Sequence, residues 1–210
     1  ISLRKHLKKA QKRLVNCSGN TMNNEKQRVV ITGMGVISTL GQTVGEFYQS
    51  LVNGKSGITK WKQPDARCYS QIGGDLSDFN FKDYLLAQQS TFSQQHLKLA
   101  KKLLRITSLP GVLSACAALQ AYYDAGLNIQ SPSLDRVAQV LGGHNLTNGY
   151  IANNVKVYNQ DEPDYIDPLF GLLSHDTDVL SVVSHLLDIK GPSYTVGGAC
   201  ASGNLALVQA

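Results

Sequence analysis

The sequence predicts an α/β fold with a mainly parallel sheet. Short β-branched runs recur at residues 28–32, 137–141 and 193–196, segments with helical apolar spacing alternate with them, and glycines follow each run. Strands that alternate with helices pair in parallel through right-handed crossovers.

The first run, Arg28-Val29-Val30-Ile31-Thr32, has the pattern of a strand buried on both faces, and Gly33-Met34-Gly35 turns the chain at its end. Thr43 can cap a helix whose apolar positions Val44, Phe47, Tyr48 and Leu51 share one face, with Asn53-Gly54 as its stop. Residues 55–90 read as a long loop with turn signals at Lys55-Ser56-Gly57, Gln63-Pro64-Asp65 and Gly73-Gly74-Asp75, and with Phe79, Phe81 and Tyr84 as anchors. Two helices follow. The first carries Leu97, Leu99, Ala100, Leu103 and Leu104, and the second has Pro110 in its first turn. The second also holds Ala115, Ala117, Ala118 and Ala121, small enough for close approach by a neighbour, and stops at Asp124-Ala125-Gly126.

Val137-Ala138-Gln139-Val140-Leu141 reads as the next strand, broken by Gly142-Gly143, and a polar segment leads on to Asp161-Glu162-Pro163, where another loop opens. Val179, Leu180, Val182, Val183, Leu186 and Leu187 define a further helix, ended by Lys190-Gly191-Pro192. Ser193-Tyr194-Thr195-Val196 is the third strand, and after Gly197-Gly198-Ala199-Cys200 the composition of 201–208 is helical.

The 210 residues, 42% hydrophobic and 17% charged, suffice for one globular domain with a real core. No apolar run reaches the roughly 18 to 20 residues of a membrane helix. The net charge of +5 invites a nucleic-acid reading, but its distribution argues against one. Arg4, Lys5, Lys8, Lys9, Lys12 and Arg13 all fall within residues 1–21, which contain no acid and leave the remaining chain at −1. Residues 1–21 can be the end of an upstream domain, a basic arm, or a leader outside the native domain. The last is favoured, because Met22-Asn23-Asn24-Glu25-Lys26 reads as an ordinary polar start and puts the domain at 22–210. A secretory signal is not expected without an apolar core to the segment.

Cys17, Cys68, Cys116 and Cys200 form no CxxC pair and no metal-like spacing with the five histidines, so neither a metal nor a cofactor is expected. Cys116 sits in an apolar helical pattern and reads as a small core residue. Cys200 is different. A β-branched strand runs through two glycines into it and a helix follows, which is the layout of a nucleophile elbow. Glycines permit the tight turn, small neighbours admit an acyl group, and the positive end of the helix dipole favours a thiolate. Backbone N–H groups of the same turn can serve as an oxyanion hole. Composition alone leaves open a buried cysteine in a small-residue turn.

Tyr194-Thr195-Val196-Gly197-Gly198-Ala199-Cys200-Ala201-Ser202-Gly203 resembles the active-site strand and elbow of β-ketoacyl synthases. Three more segments agree in order and spacing. Arg28 to Ser38 looks like the family's opening strand and turn, Asn53-Gly54-Lys55-Ser56-Gly57-Ile58 like its next loop, and Gly191-Pro192 like the dipeptide before its active-site strand. The resemblance covers about residues 28–210.

It implies a thiolase-like layered α/β/α/β/α fold of two similar halves, of which this chain supplies the N-terminal half, in a cytoplasmic homodimer. It also implies an acyltransferase of fatty-acid or polyketide biosynthesis. In that reading Cys200 accepts an acyl chain from the phosphopantetheine thioester of an acyl carrier protein, and decarboxylative Claisen condensation with a malonyl carrier thioester follows. Two histidines assist that second stage, and the family supplies both from its C-terminal half. His6, His96, His144, His175 and His185 match neither and are expected on surface or loops, so the chain reads as a piece cut after its nucleophile and inactive in condensation by itself.

Thr39, where many members have proline, and Gly142-Gly143-His144-Asn145, in place of a more glycine-rich loop, point to a divergent member of a polyketide pathway or to a stand-alone malonyl decarboxylase. A non-catalytic chain-length partner of a condensing enzyme is the alternative from another class. Cys200 speaks against it. A dinucleotide site fails because Ser38 replaces the third glycine of GxGxxG and no acid follows about 20 residues on. A hydrolase elbow fails because the last glycine is displaced to Gly203.

Overall fold

A computed structural model describes residues 28–62, 67–129, 133–160 and 163–210. The expectation for the leader at 1–21 lies outside them. Residues 32–210 make up one compact unit. Among the described residues no helix is long and apolar enough to cross a membrane.

Eight α-helices and four strands lie in the described residues. They are α1 (Val44–Val52), β1 (Thr59–Lys60), β2 (Ile72–Gly73), α2 (Phe81–Ala87), α3 (Gln94–Leu103), α4 (Leu109–Asp124), β3 (Gln139–Gly142), α5 (Asn148–Gln160), α6 (Phe170–Leu173), α7 (Thr177–Leu187), β4 (Ser193–Val196) and α8 (Ser202–Gln209). β1 and β2 form a short antiparallel pair, whereas β3 and β4 pair in parallel with Gln139 opposite Ser193 and Gly142 opposite Val196. The parallel pairing agrees with the expected α/β class.

The run at 28–32 forms no strand, and Val29, Val30 and Ile31 are exposed. β-branched composition favours a pleated surface but does not create one without ladder partners. The following loop does behave as expected of small residues facing small residues. A side chain at Gly35 would run into the Ala117 carbonyl and Gln120, and one at Gly33 into Ala121 and Ala125, so the loop can lie on α4 only through glycine. Gln120 holds it there, with its Oε1 accepting from the Val36 N–H (3.4 Å) and its Nε2 donating to the carbonyls of Val36 (3.2 Å) and Gln42 (2.6 Å).

α1 starts on the predicted cap, the Thr43 Oγ1 accepting from the Glu46 N–H at 3.2 Å. It ends at Asn53, with Gly54 in the left-handed region at φ 64°. Its apolar face is only partly covered: Tyr48, Leu51 and Val52 are exposed. α2 occupies part of the predicted long loop, where Asn80 caps it through the Lys82 N–H. The expected anchor Tyr84 is buried and Phe79 and Phe81 pack against the core, so the anchoring stands although seven residues are too few for a readable helical period.

The core lies where α3 and α4 meet α7. Leu97, Ala100 and Leu104 come from the first, Val112, Ala115, Cys116 and Leu119 from the second, and Val182, Leu186 and Leu187 from the third. Burial pushes the Cys116 thiol up to about 12, so it stays protonated and unreactive at neutral pH, as a packing residue should. α7 ends earlier than the Gly191-Pro192 signal, because Asp188 adopts the left-handed conformation (φ 54°) that closes it. Gly191 and Pro192 instead lead into β4: the Gly191 N–H donates to the Val137 carbonyl (3.1 Å) and the Pro192 carbonyl accepts from Gln139 (2.9 Å).

Leu119 is fully buried at the centre of these contacts, whereas Tyr48 is 61% exposed. Leu119→Ala should therefore lower the free energy of urea unfolding by about 2–5 kcal/mol, while Tyr48→Ser stays within about 0.5 kcal/mol of the wild type.

Candidate active site

β3 is positioned at its start by Gln139, whose side chain donates to the Leu180 carbonyl (2.8 Å) and to Ser184 on α7. At its end, the Gly143 N–H donates to the Val196 carbonyl at 3.1 Å, so the ladder with β4 continues one residue past Gly142. Two loops thus leave the carboxyl ends of adjacent parallel strands side by side, the position at which open α/β sheets present their ligand sites.

The loop after β4 carries the sequence-predicted candidate. Gly198 leads into a 3₁₀ turn, Ala199–Ala201, and α8 begins directly after it. Ala199 has φ 47°, the left-handed region in which a residue with a Cβ is strained. That strain turns the chain sharply enough to present Cys200, a free and exposed cysteine, at the apex.

Ser202 holds the turn shut. Its buried hydroxyl accepts from the Gly198 N–H (2.9 Å) and donates to the Ala199 carbonyl (2.8 Å), while the Ala201 N–H donates to the Gly198 carbonyl (2.9 Å). The Cys200 N–H makes no hydrogen bond among the described residues, which leaves it as the donor of this turn that can meet an oxyanion. Sequence reasoning overlooked Ser202. The signal was there, since serine at the entry to a helix commonly bonds nearby backbone N–H groups.

Helix α8 can approach this closely because β3 ends in glycine: a side chain at Gly142 would meet the Ser202 carbonyl oxygen at 2.6 Å and the Ala206 methyl at 3.0 Å. The pair Gly142-Gly143, expected to break the strand, in fact extends it and admits the helix. The loop after β3 then brings His144 beside Gly197, in the lead-in to the elbow. A Cβ built on Gly197 would lie 3.6 Å from the His144 Nδ1. His144 is on an exposed loop, as expected, and its ring lies beside Gly197, three residues before the candidate cysteine. His96 lies elsewhere, its Nδ1 2.8 Å from the Tyr123 hydroxyl, and His185 is in the last turn of α7. No group of three or more His, Cys, Asp or Glu side chains suited to a metal ion forms among the described residues.

A parallel pair whose carboxyl end bears a strained, helix-capped cysteine turn defines a protein of the α/β class with a candidate nucleophile at the strand-to-helix junction. The family model described as "Beta-ketoacyl synthase, N-terminal domain" matches residues 26–210, and the chain belongs to that family. It is 31% identical over 185 residues to the polyketide biosynthesis malonyl-ACP decarboxylase PksF of Bacillus subtilis (strain 168), covering 87% of this chain and 40% of that protein. It is also 31% identical over 180 residues to the 3-oxoacyl-[acyl-carrier-protein] synthase 2 of Coxiella burnetii, covering 85% of this chain and again 40% of the relative. Among solved structures, a β-ketoacyl synthase from Burkholderia phymatum superposes with a TM-score of 0.62 at 21% identity, over 88% of this chain and 43% of that one. A chain of a complex between a type II PKS acyl-carrier protein and its ketosynthase does so with a TM-score of 0.57 at 18% identity, over 87% and 45%. The fold is thus that of the thiolase-like ketosynthases, and this chain spans about two fifths of the length of the curated relatives it matches.

The Ser202 hydroxyl is the buried clasp of the turn, so its removal should be felt as an unpaired Gly198 N–H. Ser202→Ala is expected to lower unfolding stability by about 1–3 kcal/mol in denaturant melts.

Proposed function

We propose that the chain contributes the acyl-accepting part of a ketosynthase-type condensing enzyme of fatty-acid or polyketide biosynthesis, with Cys200 as the nucleophile. The observation that carries this reading is the exposed Cys200 on a strained turn between β4 and α8, its own N–H unengaged among the described residues. The thiolate attacks the carbonyl of an acyl-carrier-protein thioester, the Cys200 N–H meets the developing oxyanion, and the acyl chain moves to Sγ as the carrier thiolate departs. In the whole enzyme a malonyl carrier thioester then loses CO₂, and the carbanion attacks the acyl-enzyme. That enzyme acts as a homodimer in the cytoplasm, with the acyl carrier protein as its partner.

A second reading, decarboxylation of a malonyl carrier thioester without condensation, is favoured by the 31% identity to PksF. A cysteine placed to accept an acyl group supports the condensing reading over it. The two are separated by the product, since a decarboxylase releases an acetyl carrier thioester and leaves no chain on the protein.

Cys200 and Cys116 provide an internal contrast, one exposed and the other fully buried with its thiol pushed up to about 12. A chloroacetyl pantetheine probe should alkylate the native chain at Cys200 with full occupancy, leave Cys116 unmodified until denaturant is added, and lose its main adduct in Cys200→Ala. Peptide mapping that finds Cys200 unmodified, or the same total labelling in Cys200→Ala, would reject the assignment.

A further inference from the structure

His144 is the only titratable side chain on the loop that connects β3 to α5. The register of the parallel pair places it: Gly142 is opposite Val196, and His144 stands two residues past the first as Gly198 stands two past the second. The imidazole lies against Gly197, in the lead-in to the elbow.

The loop is shaped by one left-handed residue and held in this place by two hydrogen bonds. Asn145 takes the left-handed conformation (φ 55°), the Leu146 N–H donates to the Asp176 Oδ1 at the head of α7 (2.8 Å), and the Thr147 hydroxyl donates to the Ser174 carbonyl (2.8 Å). Strained non-glycine backbone thus occurs in both loops at this end of the sheet, at Asn145 and at Ala199. Such strain persists where the surroundings over-determine it, and it concentrates at functional sites. Among the described residues the His144 ring makes no hydrogen bond, to Cys200 or to any other group, so both its nitrogens are open to a proton. The titratable groups on the elements around it are His175 and Asp176 at the entry to α7, Asp178 and His185 within α7, Tyr150, Lys156 and Tyr158 on α5, Tyr194 on β4, and Cys200; α8 has none.

We propose that His144 is the proton acceptor for Cys200 during acyl capture. The inference rests on the acyl-capture reading and adds a base to it. The thiol proton passes from Sγ to a nitrogen of the neutral imidazole, and the electron pair left on sulfur forms the new C–S bond to the donor carbonyl. The old C–S bond breaks toward the carrier sulfur, and the imidazolium returns its proton to that departing thiolate. Atoms and charge balance without any further reactant. Imidazole suits the task because its ordinary pKa, about 6.5, lies close to neutral pH, where it can both take and return a proton.

The test is the pH dependence of iodoacetamide alkylation at Cys200, followed by peptide mapping in the full chain. His144→Gln should slow alkylation about tenfold at about pH 7, shift the midpoint of the profile up by about one pH unit, and converge on the wild-type rate near pH 10, where the thiol ionises unaided. His175→Gln should leave the profile in place, and circular dichroism should show both variants folded. As a reciprocal readout that does not depend on the variant folding, the His144 ring titration followed by NMR should move down by about one unit in Cys200→Ser, because the thiolate no longer favours the imidazolium. Superimposable profiles for wild type and His144→Gln, or a His144 titration unmoved by Cys200→Ser, would overturn the inference while leaving acyl capture intact. Failure of Cys200 to be alkylated in the wild type would instead count against the acyl-capture reading itself.

Discussion

The parallel pairing of β3 with β4 is the constraint on which the rest depends. It sets Gly142 opposite Val196, and from that register both site loops leave the sheet at the same level. A slip of one residue would exchange the faces of every β4 side chain and carry Cys200 away from the neighbouring loop. Three features fix the register against such a slip. Gln139 is tied to α7 through Leu180 and Ser184, the Gly191-Pro192 segment bonds back to Val137 and Gln139, and α8 fits against β3 only where Gly142 leaves room. The core of α3, α4 and α7 serves the same end, because it holds the helix to which β3 is tethered.

The elbow combines strain with compensation. A positive φ at Ala199 is costly for a residue with a Cβ, by the order of 1–3 kcal/mol, and it lasts only where neighbouring contacts oppose its relaxation. The Ser202 hydroxyl supplies two of them, one to the residue before Ala199 and one to its own carbonyl. The result is a cysteine that stays exposed while the atoms around its backbone are ordered. Cys116 shows the opposite choice: the same side chain, sealed among Leu119, Val112 and Leu186, keeps its proton and takes no part in chemistry.

Much of this was legible in the residues. The third strand, the glycines before Cys200 and the helix after it all occur where periodicity placed them, as do the cap at Thr43 and the stop at Gly126, because each rests on local chemistry. The misses have physical causes. Residues 28–32 read as a buried strand because composition records what a segment prefers to pack against and not whether ladder partners are present. α5 lies in a polar segment without a readable period because, of its thirteen residues, Asn154 alone is buried, which leaves little apolar periodicity to detect. Ser202 and His144 depend on contacts across the turn and across the sheet. Spacing along one segment carries no record of a partner on another.

Membership of the β-ketoacyl synthase family and the geometry of the turn converge on one atom, the Sγ of Cys200. The most direct measurement is transfer itself. The chain would be incubated with an acyl-carrier-protein thioester bearing a ¹³C-labelled carbonyl, digested under mildly acidic conditions that preserve thioesters, and mapped by mass spectrometry. The account predicts the labelled acyl group on the peptide containing Cys200, removable by hydroxylamine, and no acyl group at that position in Cys200→Ala. A label that stays on the carrier throughout, or that settles on Cys68 with Cys200 unmodified, would contradict it.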